Sequence, residues 1–174
     1  KEDKDSKNNK NLTKNDYNEL IKNVSPTCNH QVFAYILDMN SEKQQMVTEF
    51  SNKNNYEIRT VNPELNNIKC DLNKRIVPSV EEWLIAFRDS DFIITDSFHA
   101  CVFSILYQKP FAVIVNNERG SSRFLSLLSM FGLTDRMVNC LNDIESLEEI
   151  DYIQVYDKLA LYREKSFSYF KENL

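Results

Sequence analysis

Glycine is almost missing from this 174-residue chain: it occurs only at Gly120 and Gly132, where about 7% would be ordinary. Two glycines cannot write a GxGxxG or a GxxxxGK[ST] loop, so the glycine-cradled phosphate sites of dinucleotide-binding and P-loop proteins are excluded. Histidine is equally scarce, with His30 and His99 alone. The four cysteines, Cys28, Cys70, Cys101 and Cys140, stand 42, 31 and 39 residues apart with no CxxC pair. That spacing gives no zinc ligand set, so no metal is expected, and reduced structural thiols are expected rather than a disulfide framework. Cys101 is singled out because it lies beside the strongest motif. Basic residues are outnumbered, 21 Lys and Arg against 26 Asp and Glu, for a net charge of −5. No nucleic-acid partner is expected of such a balance. Long apolar runs are absent too. The longest, residues 100–107, has eight residues including Ser104, far short of the roughly 20 that span a membrane. The opening KEDK carries no signal-peptide pattern.

What is present describes a globular domain. Hydrophobic residues make up 42% and charged residues 27%, enough for one sizeable core. Asparagine occurs 20 times and tolerates left-handed backbone angles, so it can stand in for glycine at helix ends. Residues 1–11 are polar and read as a linker. A short helix over 13–24 would carry Tyr17, Leu20, Ile21 and Val24 on one face. The domain organisation expected is therefore a polar linker and short helix over 1–24, followed by a single domain over 25–174.

From residue 31 onward strands alternate with helices. QVFAYIL (31–37) and YEIRTV (56–61) read as strands around a helix from Ser41, its cap, to about Lys53, with Met46, Val47 and Phe50 inward. Lys74 to Val77 forms a possible short strand inside a polar segment. Ser79 with Glu82 writes a capping box for a helix burying Trp83, Leu84 and Phe87. FIIT (92–95) is a third strand, followed by a helix over 97–108 with Val102, Ile105 and Leu106 inward, ended by Lys109-Pro110. FAVIV (111–115) is a fourth strand. A helix over 122–131 stops at Gly132, an edge strand follows at 136–138, and an amphipathic helix runs from 151 to about 172. Residues 143–151 read as an acidic solvated turn. This is an α/β pattern with a parallel sheet covered on both faces. Ligands of such sheets bind at the carboxyl ends of strands, which directs attention to Asp38, to residues 95–99 and to residues 116–123.

Two segments there carry chemistry. In DFIITDSFH (91–99), Asp96 or Ser97 caps a helix whose free N–H groups suit an anion, with His99 in its first turn. In NNERGSSRF (116–124), Arg119, Ser122 and Arg123 gather at another helix start and can clamp an anion through guanidinium groups. The competing readings are a plain cap with a gap-filling histidine, and a solvated turn pairing with Glu118. His30 reads as incidental and Lys109 as facing either solvent or the site.

The pieces SVEEWL, SDFIITDSFHACVFSILYQKPFAVI, ERGSSRFLSLL and FGLTDRMV, over residues 79–138, resemble the polysaccharide pyruvyl transferase family, with weaker agreement at VFAYILD. The resemblance implies a Rossmann-like parallel sheet flanked by helices, similar to the C-terminal domain of a glycosyltransferase-B-type fold. It implies an enzyme that transfers pyruvate from phosphoenolpyruvate to a sugar of a bacterial cell-surface polysaccharide or its lipid-linked precursor, forming a ketal and releasing phosphate. No cofactor is implied beyond that donor, and the cytoplasm or the membrane's inner face is the expected compartment. His99 falls on the family's histidine, as acid or phosphate contact. Asp96, Ser97, Phe98, Arg119, Ser122 and Arg123 are the expected substrate contacts. Two departures stand out: Ser97 where some branches have arginine, and Ala100 where glycine is usual. Members have two domains, so an N-terminal domain is expected to be missing from this chain, which leaves a fragment expected to bind without turning over. Two rivals remain at this point: a sugar-nucleotide glycosyltransferase of the same architecture, and a catalytically silent interaction domain.

Overall fold

The computed structural model describes residues 13–27, 30–61, 78–115 and 121–173. Among them the elements run α1 (Lys14–Leu20), β1 (Gln31–Tyr35), α2 (Ser41–Asn54), β2 (Glu57–Arg59), α3 (Val80–Asp89), β3 (Phe92–Thr95), α4 (Phe98–Tyr107), β4 (Phe111–Ile114), α5 (Ser122–Phe131), β5 (Met137–Val138), α6 (Leu141–Glu145) and α7 (Tyr152–Asn173), with a 3-10 turn at Thr134–Arg136. The strands form one all-parallel sheet in the order β2-β1-β3-β4-β5. This is the expected α/β, Rossmann-like arrangement.

Alternation along the strands builds two cores, because successive side chains leave a strand on opposite faces. Phe33, Ile93, Phe111 and Val113 point to one face, where Leu84, Ala100, Cys101, Leu128 and Val155 bring α3, α4, α5 and α7 against them. Val32, Ala34, Ile94, Ala112, Ile114 and Val138 point to the other, against Met46, Val47 and Phe50 of α2 and Ile144 of α6. Phe87 anchors the first face. It meets Phe33 edge-on at 5.0 Å between ring centroids and Trp83 at 4.6 Å, and lies 5.8 Å from Phe103. Such aromatic pairs add to simple area burial. The long α7 is pinned by hydroxyls: Tyr152 donates to the Lys109 carbonyl at 2.5 Å and Tyr156 to the Leu106 carbonyl at 2.7 Å. Among the described residues no helix is long and apolar enough to cross a membrane.

The capping box of α3 forms as expected from Ser79 and Glu82, and Gly132 ends α5 at φ 75°. Asn55 ends α2 at φ 55°, a position that suits asparagine in a chain short of glycine. Other expectations need correction. The cap of α2 is Asn40 rather than Ser41, its side chain accepting from the Lys43 N–H at 2.8 Å. Helix α4 does lie between Ser97 and Gln108 as expected, ending on Gln108 at φ 56° ahead of Lys109-Pro110, but its inward stripe differs. It buries Ala100, Cys101, Ser104, Ile105 and Tyr107, while Val102 and Leu106 stay half-buried. Small side chains let that helix sit close on the sheet, so its inward stripe is not its bulkiest one. Helix α1 stops at Leu20, burying Ile21 but leaving Leu20 and Val24 exposed. Helix α6 occupies part of the segment read as an acidic turn. The possible strand at Lys74 to Val77 lies outside the described residues.

Polar groups at the amino ends of the strands are bonded to one another. The buried Asp89 carboxylate accepts from Arg88 Nε at 2.6 Å and from the Thr27 N–H at 3.2 Å and hydroxyl at 3.0 Å. Burial pushes the Asp89 carboxyl up, but the Arg88 and Thr27 bonds outweigh it and hold the group below the usual carboxylate range.

Two stability predictions follow from this packing. Phe87→Ala is expected to cost about 4 kcal/mol of unfolding free energy, measured by urea denaturation. For Asp89 the folded carboxyl titrates below the unfolded one, near pH 3.9. Its contribution is complete above that pH and is lost as pH falls through the lower folded value. An Asp89→Asn chain should therefore start less stable at neutral pH and lose less on acidification below about pH 4, read from denaturation curves across a pH series.

Candidate functional site

The winding of the chain across the sheet reverses between β1 and β3. From β1 the chain moves outward to β2 through α2, and from β3 it moves the other way to β4 through α4, with α2 and α4 on opposite faces. Carboxyl-end crevices at such switch points commonly hold ligands in open α/β sheets. Here a side chain closes the crevice. Asp96 Oδ1 accepts from the Leu37 N–H at 2.6 Å, and Oδ2 accepts from the Asp38 N–H at 3.2 Å and from Lys43 Nζ at 2.7 Å. Lys43 also donates to the Asp38 carbonyl at 3.0 Å. The Asp96 side chain is 1% exposed and that of Lys43 9%. This bonding explains why β1 stops at Tyr35 rather than Leu37: the next N–H groups turn to Asp96 instead of continuing the ladder. One residue earlier, Thr95 Oγ1 donates to the Tyr35 carbonyl at 2.5 Å and accepts from the Ser97 N–H at 3.0 Å.

On the β3–β4 side stand the starts of α4 and α5. Ser97 is the N-cap residue of α4, but neither its hydroxyl nor the Asp96 carboxylate caps the helix. The first backbone bond of α4 runs from the Cys101 N–H to the Ser97 carbonyl. The N–H groups of Phe98, His99 and Ala100 are thus outside the helix's own ladder, at the positive end of its dipole. His99 is exposed in that first turn and Phe98 half-buried. Helix α5 likewise starts without a side-chain cap at Ser121, with Ser122 and Arg123 exposed. Phe98 joins the two helix starts. Its ring lies 5.9 Å from Phe124 and 6.2 Å from His99, and the Arg123 guanidinium carbon stands 5.7 Å from its centroid. A cation at that distance is held over the ring face. Among the described residues no hydrogen bond or ion pair engages His99 or Arg123.

The sequence-derived candidates therefore divide. His99, Phe98, Ser122 and Arg123 gather at two adjacent helix starts. Ser97 is buried at the cap position, and Asp96 is buried and committed to β1 and Lys43. Arg119 lies outside the described residues. His30 sits at the amino end of the sheet, between Asp91 at 3.1 Å and the Asn54 carbonyl at 3.2 Å. Lys109 lies just before β4 at that same amino end, half-buried, its ammonium pushed down by burial. Lys43 was not singled out by sequence reasoning. Its signal was a lysine in the first turn of a helix, where the dipole disfavours a cation. Among the described residues no group of three His, Cys, Asp or Glu side chains is placed to hold a metal.

The sequence model of the polysaccharide pyruvyl transferase family matches residues 2–118. The chain belongs to that family. The match takes in β1 to β4, with Lys43, Asp96 and His99, and ends before Ser122 and Arg123. It reaches further back than the resemblance read at residues 79–138 and leaves out FGLTDRMV and all of ERGSSRFLSLL but its first residue. No curated protein and no solved structure gives a match.

Cys101, adjacent to this site in sequence, is fully buried, and burial pushes its thiol up to about 12. Only roughly one part in ten thousand is thiolate at pH 8, and the thiolate is the nucleophile. Iodoacetamide at pH 8 should label the exposed Cys140 in the native chain and reach Cys101 only in denaturant, as read by peptide mass spectrometry.

Proposed function

We propose that the paired starts of α4 and α5 bind phosphoenolpyruvate, and that the chain serves pyruvyl transfer from it to a saccharide or lipid-linked oligosaccharide of a bacterial cell-surface polysaccharide. The observation that carries this reading is the convergence of two uncapped helix N-termini, His99 and Arg123 around Phe98. Uncapped N–H groups and a guanidinium suit a ligand with two anionic ends, and family membership supplies the transferase chemistry.

The reaction needs a proton on the methylene carbon of the enol phosphate, which makes the adjacent carbon electrophilic. One sugar hydroxyl then adds to that carbon and loses its proton. A second hydroxyl displaces the phosphate with cleavage of the carbon–oxygen bond, closing the ketal. The protein's task is to supply the first proton and to hold phosphate and carboxylate while charge moves between them. In this scheme the α4 N–H groups face the phosphate and Arg123 faces the carboxylate. His99 stands where it can give the proton or grip the phosphate. As acid, its loss lowers turnover and leaves affinity intact; as phosphate contact, its loss weakens affinity. The glycosyltransferase-B-type partner domain expected from the resemblance would present the acceptor across the cleft.

Calorimetric titration of the chain with phosphoenolpyruvate, a UDP-sugar and inorganic phosphate tests the reading. Phosphoenolpyruvate should bind saturably and more tightly than phosphate. Arg123→Ala should weaken it by about tenfold or more, the scale of one charge-assisted hydrogen bond. A preference for the UDP-sugar would identify a glycosyltransferase instead, and indifference of the chain to all three would favour an interaction domain.

A further inference from the structure

Lys43 is a buried cation that touches no part of the proposed ligand site, yet it completes the structure beneath it. We infer that Lys43 is a positioning residue: it keeps the Asp96 carboxylate bridging β1 to β3, and through that bridge sets the first turn of α4 where His99 stands. The inference rests on the anion-binding reading of that turn.

Three observations support it. First, the pair is placed where stability alone would not put it. Lys43 occupies the third residue of α2, after Ser41 and Glu42, at the helix end whose dipole repels a cation. Both side chains have left water, and buried ion pairs of this kind often do no better for stability than apolar replacements. Second, the bridge fixes the residues that lead into α4. Asp96 is held by two backbone N–H groups of the β1 end and by Lys43, and Thr95 is held to Tyr35 and Ser97. The helix start follows immediately, at Phe98, with His99 three residues beyond Asp96. Third, the charges have the right signs. Asp96 places a carboxylate two residues before the first residue of an anion-binding helix, and Lys43 neutralises it at 2.7 Å. Without the ammonium, that buried negative charge would oppose an incoming phosphate at short range, in a medium that screens poorly.

The two histidines make the test direct, because they report from opposite ends of the sheet. His99 lies at the carboxyl end, and His30 contacts Asp91 and Asn54 at the amino end. In the labelled full chain, Lys43→Met should displace the His99 imidazole cross-peak in a carbon–proton correlation spectrum and leave that of His30 in place. Affinity for phosphoenolpyruvate should fall about tenfold or more at a temperature well below the unfolding midpoint. Lys43→Gln, which keeps a donor but not the charge, should move both readouts in the same direction by less. It carries the test alone if Lys43→Met does not fold. A purely structural lysine would lower the unfolding midpoint and leave both the His99 signal and the affinity unchanged; that result in a folded variant overturns the inference. A wild-type chain that binds no phosphoenolpyruvate, with a His99 signal that still moves in the variants, would overturn the functional reading and leave the positioning role standing.

Discussion

A single carboxylate ties the switch point of this sheet together. In a parallel sheet the backbone ladder ends with the strands, and the switch point between β1 and β3 would ordinarily gape at the carboxyl end. Asp96 fills that gap with bonds to Leu37, Asp38 and Lys43. It behaves as an extra rung made of a side chain, and it requires a cation, because a carboxylate 1% exposed is not tolerated unpaired. Beside that closure, and among the described residues, His99 and Arg123 at the starts of α4 and α5 carry no hydrogen bond or ion pair.

The shortage of glycine bears on the same question. A glycine loop binds phosphate by letting backbone N–H groups approach closely without a Cβ in the way. This chain presents helix N–H groups by leaving two helices without side-chain caps, and adds Arg123 over Phe98. Such a design depends on side-chain packing to hold the two helix starts together, and the Phe98–Phe124 contact does that. A glycine loop carries its geometry in its own backbone; here the geometry is borrowed from the packing of neighbouring helices on the sheet.

Much of this was legible in the sequence because it is local. Phe92 to Thr95 is a short run of strand formers between a polar turn and a helix start, and Ser79 with Glu82 is a reciprocal cap within four residues. Gly132 has a conformational reason to stand where it does. The features that escaped are those a local pattern does not encode. Asn40 and Ser41 are adjacent and equally good caps, and only the backbone angles choose between them. The inward stripe of α4 is set by how close the helix lies to the sheet, so Cys101 and Ser104 are buried ahead of Val102. Helix α6 spans five residues, too few to show a period. Lys43 and Asp96 are 53 positions apart, and each alone reads as an ordinary polar residue near a helix start. His99 was singled out by resemblance, since periodicity gives a histidine in a first turn no special meaning.

The two ends of the sheet differ in how their polar groups are satisfied, and the difference has a physical logic. At the amino end, Arg88, Asp89, Thr27, His30 and Asp91 bond to one another and to loop carbonyls, and α7 adds its tyrosine hydroxyls nearby. Most of the polar groups described at that end are bonded within the chain, although the buried Ser90 Oγ there finds no partner. At the carboxyl end, Asp96 and Thr95 are satisfied, while the first turn of α4 and the Arg123 guanidinium are not. Other polar atoms among the described residues also lack a partner, namely Asn18 Oδ1, Trp83 Nε1, Ser90 Oγ and the Tyr107 hydroxyl, but those are buried, whereas His99 and Arg123 face solvent. Exposed groups without a partner in the chain are the ones open to a ligand, and the proposed phosphoenolpyruvate contact uses them.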